Sequence, residues 1–148
     1  EARITAPSDA AEELTAAGIR HVQTTPPEGV RFFESPHEAI RPFFDADPPD
    51  EIGVHYLELL SHPGDSHSFK ETMPVLALPV QAPWGSLVDA VRLGLTLKPK
   101  YIIPIHDWHW NDQARRSQYA RMKQLFANDG IEFLELENGK PVVLDMQR

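Results

Sequence analysis

The chain has 148 residues, of which 41% are hydrophobic and 24% are charged, a composition typical of a folded protein that buries a core. Its formal net charge of −8 argues against the clustered basic surface that nucleic-acid binding requires. Because no cysteine is present, disulfides, thiolate metal sites and cysteine nucleophiles are excluded, and any bound metal would be held by His and carboxylate side chains.

No apolar run approaches the roughly 18 to 20 residues that cross a bilayer, and the first residues do not resemble a signal peptide. We therefore expect a cytoplasmic protein without a membrane partner. The chain is expected to form a single domain over residues 1–148. It opens directly on a strand-like segment without a starting Met, so a fragment of a longer chain is a further expectation.

The first 60 residues predict one short helix followed by short strands. A helix is predicted over residues 10–17, with Asp9 and Glu12 as a capping box and Gly18 as its stop. Four β-prone runs follow, and Pro-rich turns separate them: residues 21–24, 30–33, 39–44 and 52–60. These runs predict strands of an antiparallel or mixed sheet.

The second half predicts a strand, helix, strand unit. Residues 75–80 form a continuous apolar strand, Ser86 and Asp89 cap a helix over 87–97, and a second apolar strand spans 101–105, so the two strands should be parallel neighbours. A long helix is predicted over about 112–127. The chain then closes with a predicted hairpin of residues 132–136 and 142–144 around Asn138-Gly139.

Two residues are the main candidates for chemistry. His106 lies just beyond the apolar strand 101–105, at the sheet edge where open α/β sheets place ligands. Asp65 lies in the turn Pro63-Gly64-Asp65-Ser66, and its two oxygens could each bind a cation. Taken singly, a loop histidine and a common turn aspartate are structural features more often than ligands.

The order of these elements resembles the carboxyl-terminal half of the metallo-β-lactamase superfamily. The chain shows a strand, Gly-Asp-Ser, an apolar strand, a capped helix, Lys-Pro-Lys and an apolar strand ending in Pro-Ile-His. The resemblance implies an α/β fold, namely half of an αβ/βα sandwich with a mixed sheet and helices packed on it. It also implies that Asp65 bridges two metals and that His106 is the final ligand.

The chain departs from the family pattern in two places. The His-x-His-x-Asp-His loop and the sheet that precedes it are absent from the sequence. The family also places a histidine after a strand some twenty residues before the turn aspartate, where this chain offers only Asp45 or Asp47 as an oxygen ligand. The histidines that flank the two anchors are weaker metal candidates: His62, His67 and His109. A structural role is expected for His21, His37 and His55.

The resemblance predicts a metal-dependent hydrolase that acts on a small-molecule substrate through a metal-activated water. Asp65 and His106 would be its catalytic and metal residues, with Asp107 supporting His106. Zinc is the expected cation, one or two ions in the complete protein, although His and carboxylate sites also accept manganese, iron or nickel. The three tryptophans either pack around the site mouth or line a substrate pocket: Trp84, Trp108 and Trp110.

The alternative is a non-catalytic half-domain. A chain without the missing sheet would expose an apolar face, which would favour a homodimer or another partner. Nucleotide-binding and serine hydrolase functions lack support, because the sequence has no phosphate loop, no Gly-x-Gly-x-x-Gly and no Gly-x-Ser-x-Gly.

Overall fold

The structure is a computed structural model that describes residues 2–146. These residues form a two-stranded parallel sheet and a six-stranded mixed sheet. The small sheet contains β1 (Ile4–Thr5) and β2 (Val22–Gln23), which α1 (Ser8–Ala16) connects. Gly18 follows α1 with φ of +84°, as predicted, but the predicted capping box is wrong, because the helix begins after Pro7 and no side chain caps it.

The large sheet begins with three antiparallel strands, β3 (Val30–Glu34), β4 (Ile52–Tyr56) and β5 (Leu60–His62). The single strand predicted over 52–60 is therefore a hairpin. Leu57 and Glu58 adopt φ of +50° and +49°, and the Leu59 N–H donates to the Tyr56 carbonyl at 2.9 Å. This turn reverses the chain between β4 and β5. No local signal predicts it, because the run 52–60 contains β-prone residues without a Gly, Pro or Asn at the turn.

The strand predicted over residues 39–44 is also wrong. This stretch forms a turn that is closed by its own charges: the Arg41 guanidinium donates to Asp47 at 2.9 Å and lies 3.4 Å from Asp45. Pro42 cannot donate a ladder hydrogen bond, which further disfavours a paired strand here.

The parallel unit forms as predicted. β6 (Val75–Pro79), α2 (Leu87–Leu97) and β7 (Tyr101–Ile105) are a crossover, and α3 (Asp112–Ala127) leads to β8 (Glu132–Phe133). The strand order is β3-β4-β5-β6-β7-β8, with β5 to β8 parallel. The Ser86 hydroxyl accepts from the Asp89 N–H at 3.1 Å, which confirms the predicted cap.

The predicted carboxyl-terminal hairpin is wrong. Asn138-Gly139 does form a turn, with Gly139 at φ of +77°, but residues 142–144 form no strand. β8 pairs in parallel with β7, and residues 142–145 fold back over β7 instead. There the Asp145 carbonyl accepts from the Tyr101 hydroxyl at 2.8 Å and from Lys100 Nζ at 2.5 Å.

The core lies between the large sheet and helices α2 and α3. It contains the fully buried side chains Leu76, Leu78, Ile102, Met122 and Phe126. A smaller cluster on the other face joins Val75, Tyr101 and Leu134 to Leu144. The predicted α/β class with a mixed sheet and packed helices is thus confirmed. In residues 2–146 no helix is long and apolar enough to cross a membrane.

Candidate metal centre

Three loops meet at one edge of the large sheet. β3 and β5 run in the same direction, since each is antiparallel to β4, and β7 is parallel to β5 through β6. Their carboxyl ends therefore lie at the same edge, where α/β sheets bind ligands. His37 follows β3, Asp65 follows β5 and His106 follows β7.

The Asp65 carboxylate lies between the two histidines. Its Oδ1 is 2.5 Å from His106 Nε2 and its Oδ2 is 3.4 Å from His37 Nε2. The His37 side chain is 10% exposed, and those of His106 and Asp65 are 23% and 25% exposed. His37 Nδ1 lies 2.7 Å from the Glu38 carbonyl, which can only accept, so Nδ1–H donates to it and Nε2 faces Asp65.

His106 adopts a left-handed backbone, with φ of +63°, immediately after β7. The next residue holds this loop: the Asp107 carboxylate accepts from Arg115 Nε at 2.5 Å and from the Tyr119 hydroxyl at 2.7 Å. Burial, together with the hydrogen bond to Asp107, raises the pKa of Tyr119 well above its usual range. These contacts of Asp107 connect the loop after β7 to α3.

Glu51, just before β4, holds the Asp65 turn. Its Oε1 accepts from the Asp65 backbone N–H at 2.7 Å, and its carboxylate occupies the space that a Cβ at Gly64 would need. Gly64 has φ of +68°, a conformation that favours glycine. Burial raises the pKa of Glu51, and the nearby Asp65 charge raises it further. Sequence reasoning missed Glu51 because no local pattern links residues 14 positions apart.

Unpaired buried polar atoms gather at this edge. In residues 2–146 four buried side-chain atoms lack a hydrogen-bond partner: Glu51 Oε2, His55 Nε2, Trp84 Nε1 and His106 Nδ1. Glu51 and His106 contact Asp65, and the Trp84 ring centroid is 5.1 Å from His37 and 6.0 Å from His106. Such atoms are rare in folded proteins, and three of these four belong to residues that lie on Asp65 or beside the two histidines.

Two imidazoles and a carboxylate are donors that suit a divalent cation such as zinc. The donors meet pairwise at Asp65, however. The described part of the chain contains no group of three or more His, Asp or Glu side chains arranged to hold a metal ion. The residues present therefore fit part of a metal site.

The structure does not bring the weaker sequence candidates into this cluster. Asp45 is fully exposed and pairs with Arg41 at 3.4 Å, His67 Nε2 lies 2.7 Å from the Pro79 carbonyl, and His109 is exposed with its ring centroid 3.5 Å from that of Trp108. Exposed His62 accepts from the Gly64 N–H at 3.2 Å, so it supports the turn instead.

The second histidine at Asp65 is His37, for which the sequence analysis expected a structural role. The available signal was its position just after the β-prone run 30–33, which matches the position of His106 after its own strand. His37 precedes Asp65 by 28 residues, so it falls outside the neighbourhood in which a ligand was sought.

No protein-family model and no curated protein matches the chain. Two of the solved structures that resemble it are named as hydrolases that depend on a metal. A protein provisionally assigned as a metal-dependent hydrolase, from Parabacteroides distasonis ATCC 8503, matches with a TM-score of 0.61 and 16% identity over 89% of this chain. Igni18, a metallo hydrolase from the hyperthermophilic archaeon Ignicoccus hospitalis KIN4/I, matches with a TM-score of 0.67 and 17% identity over 99% of this chain.

The chain spans 63% of the length of the first protein and 70% of the second. At these identities the likeness shows the α/β fold that this chain shares with metallo hydrolases.

Proposed function

We propose that this chain is part of a metal-dependent hydrolase of the metallo-β-lactamase superfamily and acts on a small-molecule substrate. The observation that carries the proposal is the placement of His37 and His106 on the two oxygens of Asp65 at the carboxyl-terminal edge of the sheet. The two metallo hydrolase folds that the chain resembles support it, and so do the unpaired buried atoms around Asp65.

In this proposal His37, Asp65 and His106 bind one or two divalent cations, with zinc the first candidate. When bound, such a cation lowers the pKa of a coordinated water to around 7 and polarises the scissile bond. Asp65 contributes an oxygen to each side of the site. Glu51 keeps the Asp65 backbone in place, and the contact of Asp107 with α3 keeps His106 at the end of β7.

The ligand set in this chain is incomplete, since the sequence lacks the His-x-His-x-Asp-His loop. We propose that the remaining ligands come from an amino-terminal half that precedes this segment in a longer parent protein. The difference in length from the two similar structures supports this arrangement.

The test is a titration of the protein with Zn(II) and with Mn(II), followed by calorimetry and by metal analysis after dialysis. Asp65→Asn, His37→Ala and His106→Ala should each weaken binding at least about tenfold, because each removes one donor atom. His21→Ala, just before β2, is the control and should bind as the wild type does. Metal binding that His37→Ala and His106→Ala both leave unchanged, in variants with wild-type circular dichroism, would contradict the proposal.

A non-catalytic module that binds a partner or a second copy is the second candidate. The observation that favours it is the exposure of Val142 and Val143, whose side chains are 52% and 96% exposed beside the Tyr101 cluster. Sedimentation velocity distinguishes the two candidates. A dimer that Val143→Glu dissociates, in a protein that binds neither cation, would favour the module.

A further inference from the structure

Aromatic side chains form a continuous series from an exposed turn to the Asp65 cluster. Phe43 and Phe44 are 72% and 43% exposed, and their ring centroids are 4.9 Å apart. The Phe44 centroid is 6.3 Å from that of Trp84, which in turn lies 5.1 Å from His37 and 6.0 Å from His106. Separations of this size are those of interacting aromatic pairs.

The turn that carries the two phenylalanines is closed without them. Arg41 pairs with Asp47 at 2.9 Å and with Asp45 at 3.4 Å, and the Phe44 N–H donates to the Ile40 carbonyl at 3.0 Å. Arg41 thus pairs with both carboxylates of the turn, and the two phenylalanine rings are left partly exposed. Two adjacent exposed aromatic rings beside a polar cluster form an apolar contact surface.

We propose that Phe43, Phe44 and Trp84 form the wall that binds the substrate beside the Asp65 cluster, and that the group bound there is neutral and apolar, an acyl chain or an aryl ring. This inference rests on the proposed function, which makes the cluster the reacting centre. The continuity of the rings from Phe43 to His106 selects a small molecule that extends out of the site.

The rings themselves select the bound group. A neutral acyl chain or aryl ring gains contact with the exposed aromatic side chains, whereas a charged group would lose hydration against them.

The test uses the ¹⁵N-labelled protein and the indole N–H signals of its three tryptophans, of which the Trp84 signal is identified with Trp84→Phe. The probe is 4-phenyl-1-butanol, and the control compound is butane-1,4-diol, which has the same carbon chain but no phenyl ring. The Trp84 signal should shift saturably with the first probe and remain in place with the second. Phe43→Ala and Phe44→Ala should each weaken binding about threefold to tenfold, since each removes one aromatic contact.

Leu125→Ala is the matched control, because Leu125 is 46% exposed on α3 and lies outside the aromatic series. It should bind the probe as the wild type does. Equal shifts with both probes, or unchanged binding in both phenylalanine variants, would overturn the inference. If phenylbutanol leaves Trp84 in place but the two variants abolish sedimentation with phosphatidylcholine vesicles, the turn contacts a lipid surface and the inference is also wrong.

The same samples separate this inference from the proposed function. Metal binding that depends on His37 and His106, without a shift of the Trp84 signal, would contradict only the proposed aromatic wall. A shift of the Trp84 signal in a protein that binds no metal would contradict only the proposed metal site.

Discussion

Asp65 owes its position to Gly64 and to the carboxylate of Glu51, which lies just before β4. Gly64 supplies the left-handed backbone that turns the chain after β5, and the Glu51 carboxylate lies in the space above it and accepts the Asp65 N–H. A side chain at position 64 would meet two obstacles, the strained backbone and Glu51. The position of Asp65 is therefore sensitive to a single methyl group.

Gly64→Ala should destabilise the protein by more than the 1–2 kcal/mol that a left-handed backbone costs an L-residue, because Glu51 must also move. Gly139→Ala is the control, since Gly139 has φ of +77° but no atom within 4 Å of an added Cβ. Urea denaturation measures both changes. Equal losses in the two variants would mean that the Glu51 carboxylate does not constrain the turn.

A second residue-scale prediction concerns His55, which is fully buried on β4. Its Nδ1 lies 2.8 Å from the Ser61 hydroxyl and its ring stacks on Phe33 at 4.2 Å. Burial, and then the positive charge of Arg31, lower the pKa of His55 below its ordinary value of 6.5. The folded chain therefore disfavours the protonated ring.

Because the folded pKa is the lower one, the unfolded chain binds more protons below pH 6.5. The contribution of neutral His55 to the free energy of unfolding should be fully present above about pH 6.5. It should decrease as the pH falls toward the pKa of His55 in the folded chain. Urea midpoints between pH 5 and 8 measure the effect, and His55→Gln should flatten this part of the profile. Two results would contradict this prediction. One is a wild-type stability that does not change between pH 5 and 8, and the other is a loss of stability that His55→Gln leaves unchanged.

At the scale of elements, α3 connects the core to the site. Its buried face places Met122 and Phe126 against the sheet, while Arg115 and Tyr119, one turn apart, bind Asp107 after β7. The helix that completes the core thereby also determines where His106 lies. The position of His106 follows from the packing of this helix as well as from β7.

The contact between α2 and α3 predicts an unusual effect of alanine in a helix. A Cβ at Gly94 would lie 2.8 Å from Phe126 Cε1 and 3.0 Å from Ile102 Cδ1, and both side chains are fully buried. Gly94→Ala gains about 1 kcal/mol of helix propensity but overpacks the core by about 1–3 kcal/mol, so a net loss near 1 kcal/mol is expected. Thermal and urea denaturation measure this loss.

Thr96→Ala is the control for this substitution. Thr96 is exposed on the same helix, so an alanine there gains propensity without overpacking and should leave stability equal or slightly raised. If Gly94→Ala also stabilised the protein, α2 and α3 would have room to separate.

At the scale of the whole molecule, the proposed metal should couple the loops after β3, β5 and β7. An ion that binds only the folded chain adds about 2.7 kcal/mol at a free concentration one hundred times its Kd. Zn(II) should therefore raise the melting temperature by several degrees, and a chelator should reverse the rise. In His106→Ala the same addition should have a much smaller effect. A melting temperature that Zn(II) leaves unchanged in the wild type would contradict the proposed site.

Much of the carboxyl-terminal half could be predicted from local signals. The bounds of α2 and α3, the cap at Ser86 and the parallel pairing of β6 with β7 agree with the sequence analysis, because continuous apolar strands and capped amphipathic helices carry their information locally. Asp65 and His106, named from the sequence, lie in contact in the structure.

The failures share a different cause. Three features depend on which sheet edges and surfaces other segments leave free: the turn at Leu57, the parallel pairing of β8 and the folding back of residues 142–145. Secondary-structure propensity is a local quantity, so it does not include such competition between distant segments.

By itself, the sequence determined the α/β class, the exclusion of thiolate chemistry and the two loops that carry Asp65 and His106, since each depends on composition or on neighbouring residues. Only the tertiary structure decided that His37 joins Asp65, that Glu51 holds its turn and that Asp107 binds α3. These contacts join residues from separate strands and helices. They exist only once the strand order brings three carboxyl-terminal ends to one edge, and no local pattern encodes that order.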